Sequence, residues 1–117
     1  MQYLCLIYDD EKKRDAMSKS ELDALRSEHV AFREEIRQSG HYLASAPLQP
    51  VHTATTVRLR NGKASITDGP FAETKEQLGG FYLINARDLN EAIQVATKIP
   101  SARLGSVEVR PLREFND

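Results

Sequence analysis

A histidine interrupts the apolar stripe of the first long helical segment in the chain. Apolar side chains recur at spacings of three and four residues, which places them with the histidine on one helix face: Leu22, Leu25, His29, Phe32 and Ile36. An imidazole with an ordinary pKa of about 6.5 can take up and release a proton near neutral pH, so His29 is a candidate acid–base group. The alternative is a core histidine with satisfied nitrogens, because an unpaired buried polar group costs about 1–3 kcal/mol.

A second set of chemically capable residues occupies positions 68–84, with the sequence DGPFAETKEQLGGFYLI. The order Asp-Gly-Pro from Asp68 predicts a bend, and the run that ends at Ile84 predicts a buried strand. Glu73 and Lys75 are two residues apart, so in an extended loop they lie on the same side. Lys75 can anchor a substrate carboxylate while Glu73 holds the loop, or the two form a surface ion pair worth about 0–1 kcal/mol.

Two helices are bracketed by their own end signals. Ser18 and Glu21 form a capping-box pattern and Gly40 stands where a C-terminal glycine is expected, which predicts a helix over residues 19–39. Asp88, with glutamate three residues later, begins a second amphipathic helix, and Pro100 ends it. Between the first strand and the first helix, residues 9–11 are three consecutive acids and are expected to form a solvated turn.

The remaining apolar and β-branched runs predict an antiparallel sheet. The predicted strands are Tyr3–Tyr8, His41–Ala46, Thr53–Arg60, Lys63–Thr67, Phe81–Ile84 and Ser106–Pro111. Asn61-Gly62 is a strong signal for a two-residue hairpin turn between the third and fourth of these. The element order predicts an α+β fold, a ferredoxin-like antiparallel sheet with two helices on one face and an added β-hairpin.

The first predicted strand and Phe81–Ile84 carry large apolar side chains on both faces. Two helices cover one face of the sheet, so the other face requires a cover that a single chain does not contain. A second copy of the sheet is the simplest cover, and we therefore expect a homodimer with two-fold symmetry.

Composition limits the classes of partner. The 117 residues correspond to one domain, and 16 basic against 17 acidic residues leave a formal net charge of −1. Neither direct nucleic-acid binding nor membrane association is expected from this balance. The chain opens directly on a strand pattern, which predicts a cytoplasmic protein. Cys5 lies within that apolar strand and is expected to be a small buried hydrophobe.

The stretch at residues 68–84 also carries a family likeness. Its residue order resembles the hallmark of the DGPF-domain proteins, a branch of the YCII-related family, and the likeness extends over nearly the whole chain. Ile7-Tyr8, Leu48-Gln49-Pro50 and the closing Val107 to Pro111 stand where that family has them. The resemblance implies one domain over residues 1–117 that assembles as a dimeric α+β barrel.

The resemblance also implies a site and two alternative functions. In that family a histidine and an aspartate look like an active site, so the resemblance implies His29 as acid–base group and Asp68 as the carboxylate that orients it. The first function is a cofactor-independent enzyme that transfers protons on a small carboxylated or carbonyl-bearing molecule. The second is a noncatalytic ligand- or protein-binding regulatory module, because proteins with this domain occur beside extracytoplasmic-function sigma factors. No metal site is expected, since neither His41 nor His52 has metal-ligand spacing.

Overall fold

Four antiparallel strands form the central sheet of the computed structural model, which describes residues 1–115. In chain order these strands are β1 (Gln2–Asp9), β2 (Tyr42–Pro47), β5 (Gln77–Asn85) and β6 (Gly105–Pro111). Their order across the sheet is β2-β5-β1-β6, with β1 and β5 in the centre. This order fits the ferredoxin-like arrangement that the sequence predicted, and the sheet formed by residues 1–115 is open.

Three helices accompany the sheet: α1 (Glu11–Asp15), α2 (Lys19–Gln38) and α3 (Leu89–Thr97). The predicted capping box of α2 is present, with the Ser18 hydroxyl accepting from the Glu21 backbone N–H and the Glu21 carboxylate accepting from the Ser18 N–H. Gly40 follows α2 with a φ of 81°, and the His41 N–H donates to the Ile36 carbonyl. The Asp88 carboxylate accepts the backbone N–H of Glu91 at the start of α3.

One face of the sheet packs against α2 and α3 to form the core. The alternating residues of β1 and β5 that face the helices are buried, and they contact the apolar faces of both helices. The core comprises Tyr3, Cys5, Ile7, Phe32, Ile36, Tyr82, Ile84, Ala86, Ala92, Val95, Ala96 and Ile99. Cys5 is fully buried among them, as predicted.

A hairpin of β3 (Thr55–Arg60) and β4 (Lys63–Asp68) forms a separate two-stranded sheet. Its turn residues, Asn61 and Gly62, both have positive φ, as the hairpin signal predicted. Val57, Leu59 and Ile66 lie on one face of the hairpin and are 64%, 66% and 70% exposed. The hairpin therefore presents an apolar face that residues 1–115 leave uncovered.

Two predictions about the edges of the elements were wrong. The acidic turn is instead the end of β1 followed by the short helix α1, whose N-terminus is capped by the Asp10 carboxylate. Asp9 belongs to β1 and is 3% exposed, because it continues the alternation that places Tyr3, Cys5 and Ile7 on the core face. Residues 1–115 thus form three α-helices where two were predicted.

Strand β5 also begins earlier than predicted, at Gln77, so that Gly79 and Gly80 lie within the strand. A Cβ atom on Gly80 would lie 2.9 Å from the carbonyl oxygen of Ala46 on β2. This close approach of two backbones explains a glycine inside a buried strand.

Candidate functional site

A cavity of about 360 Å³ lies between α2 and the sheet. Its wall combines residues from both ends of the chain, and it falls in the size range of small-molecule sites. The lining residues are Ile7, Arg14, Leu22, Leu25, Arg26, His29, Arg33, Ser45, Ala46, Pro47, Gly79, Gly80, Phe81, Tyr82 and Ser101.

His29 is the polar centre of this cavity wall. Helix α2 places it on the stripe that also holds the buried Leu25, Phe32 and Ile36, but its own side chain is only partly buried. Its Nδ1 shares a 2.7 Å hydrogen bond with the hydroxyl of Tyr82, and its Nε2 shares one of 2.8 Å with the hydroxyl of Ser101. The helix stripe thus carries a histidine with hydrogen bonds at both ring nitrogens.

Tyr82 is held rigidly by aromatic packing. It lies on the core face of β5, 3% exposed, with its ring edge-on to Phe32 at a centroid distance of 5.1 Å. Its ring is nearly parallel to that of His29, at 7° and 6.0 Å. Burial raises the pKa of Tyr82, and this effect outweighs the opposing influence of the Arg33 guanidinium. The phenol is therefore protonated at neutral pH.

Ser101 reaches His29 from a short 3-10 turn, Pro100–Arg103, that follows α3. The serine is 1% exposed, so its hydroxyl has little access to water. Arg103 makes a bidentate contact with Glu28, at 2.6 and 2.9 Å, which links the turn to α2 beside the histidine. Both partners of that ion pair are largely exposed, so its role is positioning rather than a large stabilisation.

The surroundings of His29 favour the neutral imidazole. Burial lowers its pKa below the ordinary value, Arg14, Arg33 and Arg103 lower it further, and Glu28 opposes them. A neutral imidazole carries one N–H, so two arrangements satisfy the chain of groups. Either Tyr82 donates to Nδ1 while Nε2 donates to Ser101, or Ser101 donates to Nε2 while Nδ1 donates to Tyr82. The imidazolium is satisfied as well, because both hydroxyl oxygens can accept.

The other residues singled out in the sequence lie on the hairpin and the loop after it. Asp68 ends β4, paired with Thr55, and is exposed. Glu73 and Lys75 are also exposed. Within residues 1–115, the ring nitrogens of His29 bond to Tyr82 and Ser101 and not to Asp68. Acid–base action by His29 with an orienting Asp68, and substrate binding by Glu73 and Lys75, stay predictions.

Sequence reasoning missed four residues of the cavity: Arg14, Arg33, Tyr82 and Ser101. Tyr82 stood inside Phe81–Ile84, the part of β5 that was predicted as a strand, and its alternation with Ile84 was the available signal that it faces the core. Arg33 is four residues after His29 and therefore on the same side of the helix. Nothing local indicates Arg14 or Ser101, since both approach the site from other elements.

No group of three or more potential ligand residues within the described part of the chain is arranged to hold a metal ion. None of the helices formed by residues 1–115 has the length and apolar character needed to cross a bilayer.

An open ferredoxin-like sheet with a histidine-centred cavity under its first long helix defines a class of small α+β domains. Comparison with known proteins narrows this class: the family description "YCII-related domain" matches residues 1–116, and the chain belongs to that family. The chain is also similar to an uncharacterised protein of Rhizobium meliloti (strain 1021). The two are 41% identical over 114 residues, which cover 96% of this chain and 92% of the relative.

Proposed function

We propose that this protein is a cofactor-independent enzyme that transfers a proton to or from a small carbonyl-bearing molecule bound in the cavity, with His29 as the acid–base group. The observation that carries the proposal is the hydrogen-bonded chain from Ser101 through His29 to Tyr82 on the wall of a ligand-sized cavity. His29 is suited to accept a proton reversibly, because it is neutral at rest and because hydroxyl groups can accept both of its ring N–H groups after protonation.

The geometry supports proton transfer by way of Tyr82. In the arrangement where Tyr82 donates to Nδ1, its oxygen can accept a proton from a ligand C–H while its own proton passes to His29. The products are an enolate-like ligand and an imidazolium whose two N–H groups donate to Tyr82 and Ser101. The reverse sequence returns the proton to the ligand.

A deuterium-exchange experiment tests this function. The protein is incubated in D₂O with a panel of 2-oxo acids, 3-oxo acids and neutral ketones, and exchange at the carbon next to the carbonyl is followed by NMR. We expect exchange with wild type and a loss of about 10²–10⁴-fold in His29→Gln, the range that general acid–base catalysis contributes.

The matched control is His41→Gln. His41 is also hydrogen-bonded at both ring nitrogens, to Ser39 at 2.7 Å and Glu91 at 2.9 Å, but it does not line the cavity. Exchange at the wild-type rate in His29→Gln, or an equal loss in His41→Gln, would contradict the proposal.

We also propose that the functional unit is a homodimer joined through the outer face of the sheet, the arrangement of a dimeric α+β barrel. By strand alternation, Leu4, Leu6 and Leu83 face away from the helices, and they are only partly buried in the single chain. Light scattering coupled to gel filtration at micromolar concentration should give twice the chain mass. Leu83→Glu should weaken the dimer, whereas Val30→Glu, on the exposed side of α2, should not. A wild type that remains a monomer would refute the assembly.

A second candidate is the noncatalytic binding module associated with an extracytoplasmic-function sigma factor. It is favoured by the apolar hairpin face of Val57, Leu59 and Ile66 and by Phe71 at 80% exposure. Such exposed apolar groups are typical of protein contacts. Co-purification with a sigma factor that is lost in Ile66→Lys and retained in His29→Gln would favour this candidate over the enzyme.

A further inference from the structure

The charge on the cavity wall is all of one sign. Three arginines line it, namely Arg14, Arg26 and Arg33, and among the residues that the structure describes no aspartate or glutamate does. The chain as a whole has a net charge of −1, so this local excess of positive charge is not a property of the composition. A concave site lined by one sign of charge attracts a ligand of the opposite sign.

The three arginines differ in what neutralises them. Arg26 is exposed and lies 3.5 Å from Asp23 on the same helix. Arg14 lies 3.2 Å from Asp9. Arg33 is partly buried and makes no ion pair with any carboxylate of residues 1–115. Arg33 therefore brings an uncompensated cation to the same wall as His29 and Tyr82.

An ion pair with Asp9 holds Arg14 in place. Asp9 is 3% exposed, and one of its carboxylate oxygens contacts Arg14 while the other has no hydrogen-bond partner among the described residues. A guanidinium has five N–H donors, so Arg14 can retain Asp9 and still present other donors to the cavity. This ion pair restrains Arg14, which also lines the cavity, before any ligand arrives.

We propose that the cavity binds a small oxyanion, with Arg33 as the main binding residue and Arg14 as the second. The planar fork of a guanidinium matches the two oxygens of a carboxylate or of a phosphate, and both ligands share that recognition chemistry. A volume of about 360 Å³ corresponds to a small molecule. Anion binding itself requires no proton transfer. The inference rests on the proposed function only in one respect, that the bound anion directs the carbonyl group of the ligand toward Tyr82 and His29.

Calorimetric titration at low ionic strength tests this proposal with three probes: malonate, inorganic phosphate, and malonamide as the uncharged analogue of malonate. We expect wild type to bind at least one of the two anions in the millimolar range or tighter, and not to bind malonamide. Stronger binding of malonate identifies a carboxylate ligand, and stronger binding of phosphate identifies a phosphorylated one.

Variants assign the binding to Arg33. Arg33→Gln should weaken anion binding 10- to 100-fold, and Arg33→Lys should weaken it less because the charge remains without the fork. Arg37→Gln removes the same charge one turn further along α2, outside the cavity, and should change the affinity by less than twofold. Urea unfolding of each variant identifies any loss that comes from misfolding, and Arg33→Lys tests the site if Arg33→Gln does not fold.

Two results would overturn the inference: no binding of either anion to wild type, or equal losses in Arg33→Gln and Arg37→Gln. The His29→Gln variant separates the test of anion binding from the test of proton transfer. Anion binding that persists in His29→Gln while exchange is lost supports both proposals. Exchange on neutral carbonyl compounds without any anion binding would refute this inference alone.

Discussion

The hydrogen bond between Tyr82 and His29 makes a specific prediction about stability. Tyr82→Phe removes only the hydroxyl group, so the edge-on packing against Phe32 is retained while Nδ1 of His29 loses its 2.7 Å partner. Leaving one polar group unpaired costs about 1–3 kcal/mol, and the lower part of that range applies because His29 is only partly buried. We expect Tyr82→Phe to lower the free energy of unfolding by about 1–2 kcal/mol.

Tyr3→Phe is the matched control for this substitution. Tyr3 is 2% exposed on the same face of the sheet, and the one hydrogen-bond partner of its hydroxyl among the described residues is the sulfur of Met1, at 3.8 Å. We expect a loss below about 0.5 kcal/mol for this variant, because sulfur is a weak acceptor. Urea unfolding at one fixed protein concentration measures both values, since stability varies with concentration if the protein dimerises.

The cost of Tyr82→Phe should depend on whether His29 is present. In a His29→Leu variant, the Tyr82 hydroxyl has already lost its hydrogen bond to His29, so Tyr82→Phe should then cost less than in wild type. The difference between the two backgrounds is the coupling energy of the pair. An equal cost of Tyr82→Phe in wild type and in His29→Leu would refute the view that this hydrogen bond holds the site together.

Three further predictions concern other parts of the chain. Burial lowers the pKa of His29, so below about pH 6.5 this histidine is protonated more fully in the unfolded chain than in the folded protein, and folding becomes less favourable. In urea unfolding, the stability advantage of wild type over His29→Gln should therefore shrink from pH 7.5 to pH 5.5. An advantage that grows over this range would contradict the prediction. Gly80→Ala should lower the free energy of unfolding by about 1–3 kcal/mol, because its Cβ would lie 2.9 Å from the Ala46 carbonyl oxygen. In Gly79→Ala, the nearest described atom to the new Cβ lies 3.4 Å away, so this variant should unfold at nearly the wild-type urea concentration. Burial raises the pKa of Cys5 to about 11, so a thiol reagent at pH 8 should label it only after denaturation, and rapid labelling of the native protein would contradict its burial.

Much of the fold was predictable because its signals are local. Ser18 and Gly40 bracket α2, and the Asn61-Gly62 pair sets the hairpin turn. These residues act through their own backbone conformation or through bonds to residues a few positions away, so each can be recognised in a short window of sequence. The capped helix α1 was missed because its short pattern of charged residues is the same as that of a solvated turn.

Less of the candidate site than of the fold could be predicted from the sequence. The sequence by itself determined that His29 stands on the core-facing stripe of a capped helix and that Phe81–Ile84 belongs to a strand. Only the tertiary structure decided that Tyr82 and Ser101 bond to the two nitrogens of His29, because these partners are 53 and 72 residues away along the chain. The same holds for Arg14 and Arg33, whose charges converge on one cavity from two helices. Periodicity specifies which face of an element a side chain occupies, but strand order and helix packing specify what stands opposite that face.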